Sequence, residues 1–191
     1  MVIDGKQPLR EQLRARRKAF VDANGLAALR VHAIVIARIA LTASNHAGSI
    51  AAYLSNGREV DAMPLIELAC AHGVRTALPH VEGRGGAMRF LAWRPGDPLV
   101  AGPYGLPQPS TLAAEIEPDT IFTPLVGFDR LGNRLGQGGG FYDRAFARHP
   151  ATRRIGLAWS VQEIDQVPTD EWDQPLHAIV TEHEWIRIEG R

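Results

Sequence analysis

Two rhythms of apolar positions run along this chain. In "KQPLREQLRARRKAF", Leu9 and Leu13 recur four apart, while Arg10, Arg14 and Arg17 recur at three- and four-residue spacing. That is the rhythm of a helix with one apolar and one basic face. Pro8 suits its first turn, and Gly25 separates it from a second helix over roughly Leu26 to Ala43. "MPLIELACAHG" repeats the helical period and stops at Gly73; "FYDRAFARHP" does so up to Pro150. The other rhythm is short or alternating. "SIAAYLS" (Ser49 to Ser55), "RTALP" ended by Pro79, "AMRFLAW", "DTIFTPLVGFD", "RRIGLAWS" and "AIVTEHEWIRI" predict strands. The Pro- and Gly-rich stretch from Val100 to Pro118 predicts an ordered connection or lid, and "VPTDEWDQPLH" a loop. Strands alternating with helices imply one α/β domain over residues 1–191, a mostly parallel sheet with helices on both faces in three layers.

Composition narrows the classes. At 191 residues the chain can bury a sizeable core, and 45% apolar residues fit neither a disordered nor a membrane protein. Lys+Arg and Asp+Glu both number 21, so there is no basic excess of the kind a dedicated nucleic-acid binder carries. "RARRK" alone would suggest RNA binding, but no paired exposed aromatics accompany it. Cys70, the one cysteine, excludes an internal disulfide and reads as a packed thiol on the apolar side of its helix. Of His32, His46, His72, His80, His149, His177 and His183, no two stand four apart as metal ligands on one helix do. "VHAIVIARIALTA" is interrupted by His32 and Arg38 and is too short to cross a bilayer. The expectation is a cytoplasmic protein without membrane or nucleic-acid partners.

The densest chemical signal is "GNRLGQGGGFYDR", Gly132 to Arg144, lying after a predicted strand and before a predicted helix. In an open α/β sheet, ligands collect at such carboxyl ends, where a helix N-terminus offers N–H groups to an anion. Gly136, Gly138, Gly139 and Gly140 leave room for backbone to close on phosphate; Arg134 offers a charged fork and Asp143 a carboxylate for Mg²⁺. The loop holds no lysine for a Walker A motif, and it comes too late in the chain for a dinucleotide fingerprint. A mobile glycine loop is the other reading of the same pattern.

Taken together, "KQPLR" (Lys6 to Arg10), "YLSNGREVD", "YGLPQP", "GFDRLGNRLGQGGGFYD" (Gly127 to Asp143) and "VPTDEWDQPLHAIVTE" resemble, in order, the signature segments of the 5-formyltetrahydrofolate cyclo-ligase family. The resemblance spans nearly the whole chain. It implies an ATP- and Mg²⁺-dependent ligase that converts 5-formyltetrahydrofolate to 5,10-methenyltetrahydrofolate, releasing ADP and phosphate. It further implies that Lys6, Arg10, Arg134, Leu135, Gly136, Gln137, Gly138, Gly139, Gly140, Phe141 and Tyr142 bind ATP, with Arg134 catalytic. Leu54, Glu59, Tyr104 and Gly138 to Phe141 would contact the reduced formyl-folate, and Asp143 and Asp173 would hold Mg²⁺. A monomer is expected. Arg14, Arg16 and Arg17 stay on a solvated face in this reading, and Arg134→Ala is expected to abolish turnover with little effect on folding. Gln137 stands where the family often has arginine, Gly139 where some members have lysine, and Phe141 where tyrosine is common. His177 replaces a usually acidic residue and Gln108 a common glutamate. Gln137 and Phe141 are the features that would favour a nucleotide-binding relative of the same fold lacking the folate reaction.

Overall fold

The computed structural model describes residues 5–44, 47–83 and 85–190; His46 and the side chain of Tyr104 lie outside what is described. In chain order the elements are α1 (Lys6–Ala43), β1 (Ser49–Ala51), α2 (Met63–Ala71), β2 (Arg75–Val81), β3 (Met88–Ala92), β4 (Leu99–Ala101) and β5 (Pro107–Pro109). There follow β6 (Thr120–Pro124), β7 (Gly127–Phe128), β8 (Arg134–Leu135), α3 (Phe141–Arg148), β9 (Arg153–Leu157), β10 (Ala178–Val180) and β11 (Trp185–Arg187). Seven strands form one sheet in the order β11-β10-β9-β6-β1-β2-β3. The five central strands are parallel, and β3 and β11 pair antiparallel at the two edges.

The period-2 pattern sorts side chains to the two faces. Ile50, Phe122, Ala178 and Val180 join the core under α1 and α2, while Ala51, Ile121 and Ile179 face the core beneath α3. The three layers expected from the sequence are present.

Gly25 divides α1 where the sequence places a break. Its φ of 70° and ψ of 160° are non-helical and suit glycine, so two arms meet at a kink. The second arm buries Ala33, Ile36, Ala37, Ala40 and Ala43, spaced three and four apart, on the sheet. By length and composition α1 could cross a membrane, with a mean hydropathy of 1.7 in its most apolar window. Of that window 28% is buried in the fold, while Val31, Ile34 and Val35 are exposed. The first arm buries Leu13 with Val126, Leu135 and Val167, a small cluster that fastens it over the region after β6.

Two elements depart from the sequence expectation. Strand β2 does not end at Pro79 but runs on to Val81 against β3. β1 pairs with β2 only as far as Ala77, so beyond that point β2 has one neighbour and the missing N–H of Pro79 costs no ladder bond on the open side. The Pro-rich stretch contains a hairpin, β4 with β5. Gln108 fixes it to the main sheet: its Oε1 accepts the Val81 N–H at 3.1 Å and its Nε2 donates to the Val81 carbonyl at 3.3 Å.

The connectivity opens the site. From β1 the chain passes through α2 on one face to β2; from neighbouring β6 it passes through α3 on the other face to β9. The connections leaving β1 and β6 diverge, which creates a crevice at their carboxyl ends.

Candidate active site

A cleft of about 1200 Å³ occupies this crevice. That exceeds the ~300–1,000 Å³ of a pocket for one small ligand and leaves room for two. One wall is the glycine loop, and a buried carboxylate holds its base. Asp129 Oδ1 accepts the backbone N–H groups of Leu131 and Asn133, both at 3.0 Å. Its Oδ2 accepts Asn133 Nδ2 at 2.9 Å and the Val167 N–H at 3.0 Å. These bonds close the turn between β7 and β8 and so set where Arg134 emerges. The sequence shows Asp129 as part of "GFD" but gives no sign of this role. Gly138 and Gly140 have φ of 103° and 63°, and Gly140 forms the left-handed entry to α3. A Cβ at Gly136 would lie 2.8 Å from Arg134 Nη1, so glycine there makes room for the guanidinium.

Arg134 is buried rather than displayed on a loose loop. Its Nη2 donates to Asp143 Oδ1 at 2.9 Å, and its guanidinium carbon lies 5.6 Å and 5.8 Å from the rings of Tyr142 and Phe146. Among the described residues Nε has no hydrogen-bond partner. An unpaired buried donor costs about 1–3 kcal/mol, a cost that an incoming anion would relieve. This burial argues against the expectation that Arg134→Ala has little effect on folding.

The first arm of α1 brings cations to the same wall. Arg10 donates from Nε to the Gly136 carbonyl at 3.0 Å. Lys6 Nζ bonds Asp170 Oδ2 at 2.6 Å and Asp173 Oδ2 at 2.5 Å. Burial alone would lower the Lys6 pKa, but the two carboxylates outweigh it and the value is raised. Arg17, expected on a solvated face, is buried and donates to the Leu125 carbonyl at 3.3 Å. Burial lowers its pKa, with Glu59 acting in the other direction. Arg14 is half-buried and also lines the cleft. Of the three arginines assigned to solvent, only Arg16 is exposed.

Across the cleft stand Leu54 and Glu59, on the connection that leaves β1. Glu59 Oε2 accepts the Asn56 N–H at 2.9 Å and Oε1 accepts from Gln137 Nε2 at 3.2 Å. Burial, then Glu59, push the Tyr142 hydroxyl well above its ordinary pKa range, so it stays a neutral phenol. The cleft thus gathers Lys6, Arg10, Leu54, Glu59, every residue from Arg134 to Asp143, and Asp173. Tyr104 belongs to a short 3-10 turn between the lining residues Pro103 and Leu106. The sequence reading missed Arg14, Arg17, Asp170 and the exposed Trp172 at the rim. A charge or aromatic in a loop carries no local signal of where that loop lands.

The carboxylates can be tested as metal ligands. Asp143 Oδ1 takes Arg134 and the Gln174 N–H at 3.3 Å, and Asp173 Oδ2 takes Lys6 and the Asp170 N–H at 2.8 Å. The second oxygen of each accepts no hydrogen bond among the described residues, which also hold no cluster of three or more His, Cys, Asp or Glu suited to a metal. That donor set fits Mg²⁺ bound by one or two carboxylates plus water and phosphate oxygens, not an all-protein cage.

Comparison with known proteins agrees with this geometry. The model of the 5-formyltetrahydrofolate cyclo-ligase family matches residues 2–182. The 5-formyltetrahydrofolate cyclo-ligase of Escherichia coli (strain K12) is 38% identical over 142 residues, covering 71% of this chain and 78% of that protein. The Haemophilus influenzae enzyme of the same name is 33% identical over 147 residues, 73% and 79% of the two chains. Among solved structures, 5,10-methenyltetrahydrofolate synthetase from Aquifex aeolicus superposes with a TM-score of 0.80 at 29% identity, over 97% of this chain and 94% of that one.

Proposed function

The chain belongs to the 5-formyltetrahydrofolate cyclo-ligase family, and from that premise we propose how its own side chains divide the work. The activity is ATP-dependent closure of 5-formyltetrahydrofolate to 5,10-methenyltetrahydrofolate, with release of ADP and phosphate. The formyl oxygen is a poor leaving group, so the γ-phosphoryl is transferred to it first. N10 then attacks the formyl carbon, its proton is lost, the C–O bond breaks and phosphate leaves with the bonding pair. Positioning and charge neutralisation are what such chemistry asks of a protein.

Arg134 binds the transferring phosphoryl through the donors that Asp143 does not use. Lys6 and Arg10 bring positive charge to the rest of the polyphosphate, and the Gly138–Gly140 backbone with the start of α3 wraps it. Glu59 accepts N–H groups of the pterin, while Leu54 and Phe141 supply its walls. Asp143 and Asp173 hold Mg²⁺, which neutralises phosphate charge when bound.

One observation carries the assignment: a buried arginine with donors to spare, beside glycine backbone, facing a carboxylate on the opposite wall. Turnover of 5-formyltetrahydrofolate with ATP and Mg²⁺ is read from methenyl-folate absorbance. Glu59→Ala is expected to raise the folate KM tenfold or more and the ATP KM far less. Equal effects on both would remove Glu59 as the pterin anchor. Chelation with EDTA is expected to stop turnover, and added Mg²⁺ to restore it; turnover unaffected by EDTA would remove the metal role.

A further inference from the structure

Arg14 lies one turn beyond Arg10 on α1 and meets the glycine loop side-on. Its Nη2 and Nε both donate to Gln137 Oε1, at 2.7 Å and 3.2 Å. The Gln137 amide is also the donor to Glu59 Oε1 at 3.2 Å. A continuous line of hydrogen bonds therefore runs from α1, through the glycine loop, to the carboxylate on the far wall.

The other cations on this wall keep close partners, Arg10 among them through the Gly136 carbonyl. Lys6 is matched by Asp170 and Asp173, and Arg134 by Asp143. Arg17 is buried against a carbonyl. Arg14 is held by a neutral amide, and its positive charge faces the cleft with no carboxylate partner among the described residues. Gln137 is exposed, and water competes for its bonds. A phosphate oxygen would offer Arg14 a charge-assisted bond about twice as strong as a neutral one. It would also accept two donors from one guanidinium, as Gln137 Oε1 already does.

We propose that Arg14 is a further nucleotide-binding residue, its guanidinium passing from the Gln137 amide to a phosphate oxygen, and that Gln137 communicates this event to Glu59. The proposal rests on the cyclo-ligase reading and extends it. It gives the loop a cation from the helix, where its own positions 137 and 139 are uncharged. It also makes Gln137 a positioning residue for the carboxylate that orients the pterin.

The test is the Kd of a non-hydrolysable ATP analogue by calorimetry, beside steady-state KM values for ATP and 5-formyltetrahydrofolate. Arg14→Ala is expected to weaken the analogue and raise the ATP KM tenfold or more, with the folate KM at saturating ATP within about twofold. This is the size of losing one charge-assisted bond. Arg14→Lys is expected to recover most of the loss. Arg16→Ala, removing an exposed side chain that donates to the Glu163 carbonyl, is expected to leave both KM values unchanged. Gln137→Ala is expected to raise the folate KM several-fold while lowering analogue affinity little. A parent protein that makes no methenyl product would defeat the cyclo-ligase reading itself. An active parent whose Arg14→Ala variant binds the analogue with unchanged Kd would overturn the Arg14 proposal alone. An unchanged folate KM in Gln137→Ala would cut the link to Glu59.

Discussion

Arg134 combines a proposed catalytic duty with a structural one, and the two are separable by substitution. Removing it leaves Asp143 with only the Gln174 N–H on Oδ1 and empties the space beside Tyr142 and Phe146. Arg134→Ala is expected to abolish turnover and to lower stability by about 2–3 kcal/mol, less than for a fully buried pair because Asp143 is partly solvated. Arg134→Lys should restore most of the stability and little of the activity, since a lysine cannot supply the planar fork. Urea unfolding and the absorbance assay read the two effects apart. Lys6 makes a pH prediction. Its folded pKa is raised, so its tie to Asp170 and Asp173 contributes fully below the ordinary lysine value of about 10.4 and is lost as pH rises through the folded value. Parent and Lys6→Met stabilities should therefore converge above roughly pH 10.5 and differ by a constant amount from pH 7 to 9. A gap that persisted unchanged to pH 12 would show that Lys6 acts through packing instead.

At the scale of elements, the glycines near the site are not equivalent. A Cβ at Gly132, whose φ is 86°, would lie 2.7 Å from the Leu176 carbonyl oxygen and 3.0 Å from Ile188 Cγ1. At Gly140, whose φ is 63°, it would meet only the mobile end of Arg144 at 2.8 Å. Gly132→Ala should cost upwards of 3 kcal/mol or prevent folding, whereas Gly140→Ala should cost about 1 kcal/mol and leave a folded but slower enzyme. Thermal melts of the two variants order them directly. The elements themselves were mostly legible, because a period of two or of 3.6 is a local property of the chain. Pro79 and the β4–β5 hairpin were not. What makes Pro79 tolerable is the early end of β1, and what anchors the hairpin is a set of bonds joining Gln108 and the Pro109 carbonyl to Val81 and His80 of β2, a strand elsewhere in the sequence. Neither fact leaves a periodic trace.

At the scale of the whole molecule, the kink at Gly25 lets one helix serve two purposes. Its second arm packs on the sheet, and its first swings over the cleft with Lys6, Arg10 and Arg14. Gly25→Ala forces an L-residue into a backbone region it rarely enters, at roughly 1–3 kcal/mol, and is expected to raise the ATP KM more than the folate KM. Equal KM shifts would show that the kink does not aim the cationic arm. The site's legibility follows the same geometry. Lys6, Arg10 and the glycine loop were recognisable as motifs, each within its own segment. Arg14, Arg17 and Asp170 were not, because their roles depend on contacts between residues more than a hundred positions apart. That separation also orders events on the ribosome. The basic helix is delivered well before Gly136, Gln137, Asp170 and Asp173, which its side chains grip. Until they emerge, the nascent chain carries half of the proposed nucleotide site with nothing to close it. Capacity to hold ATP arrives only when the two distant segments meet.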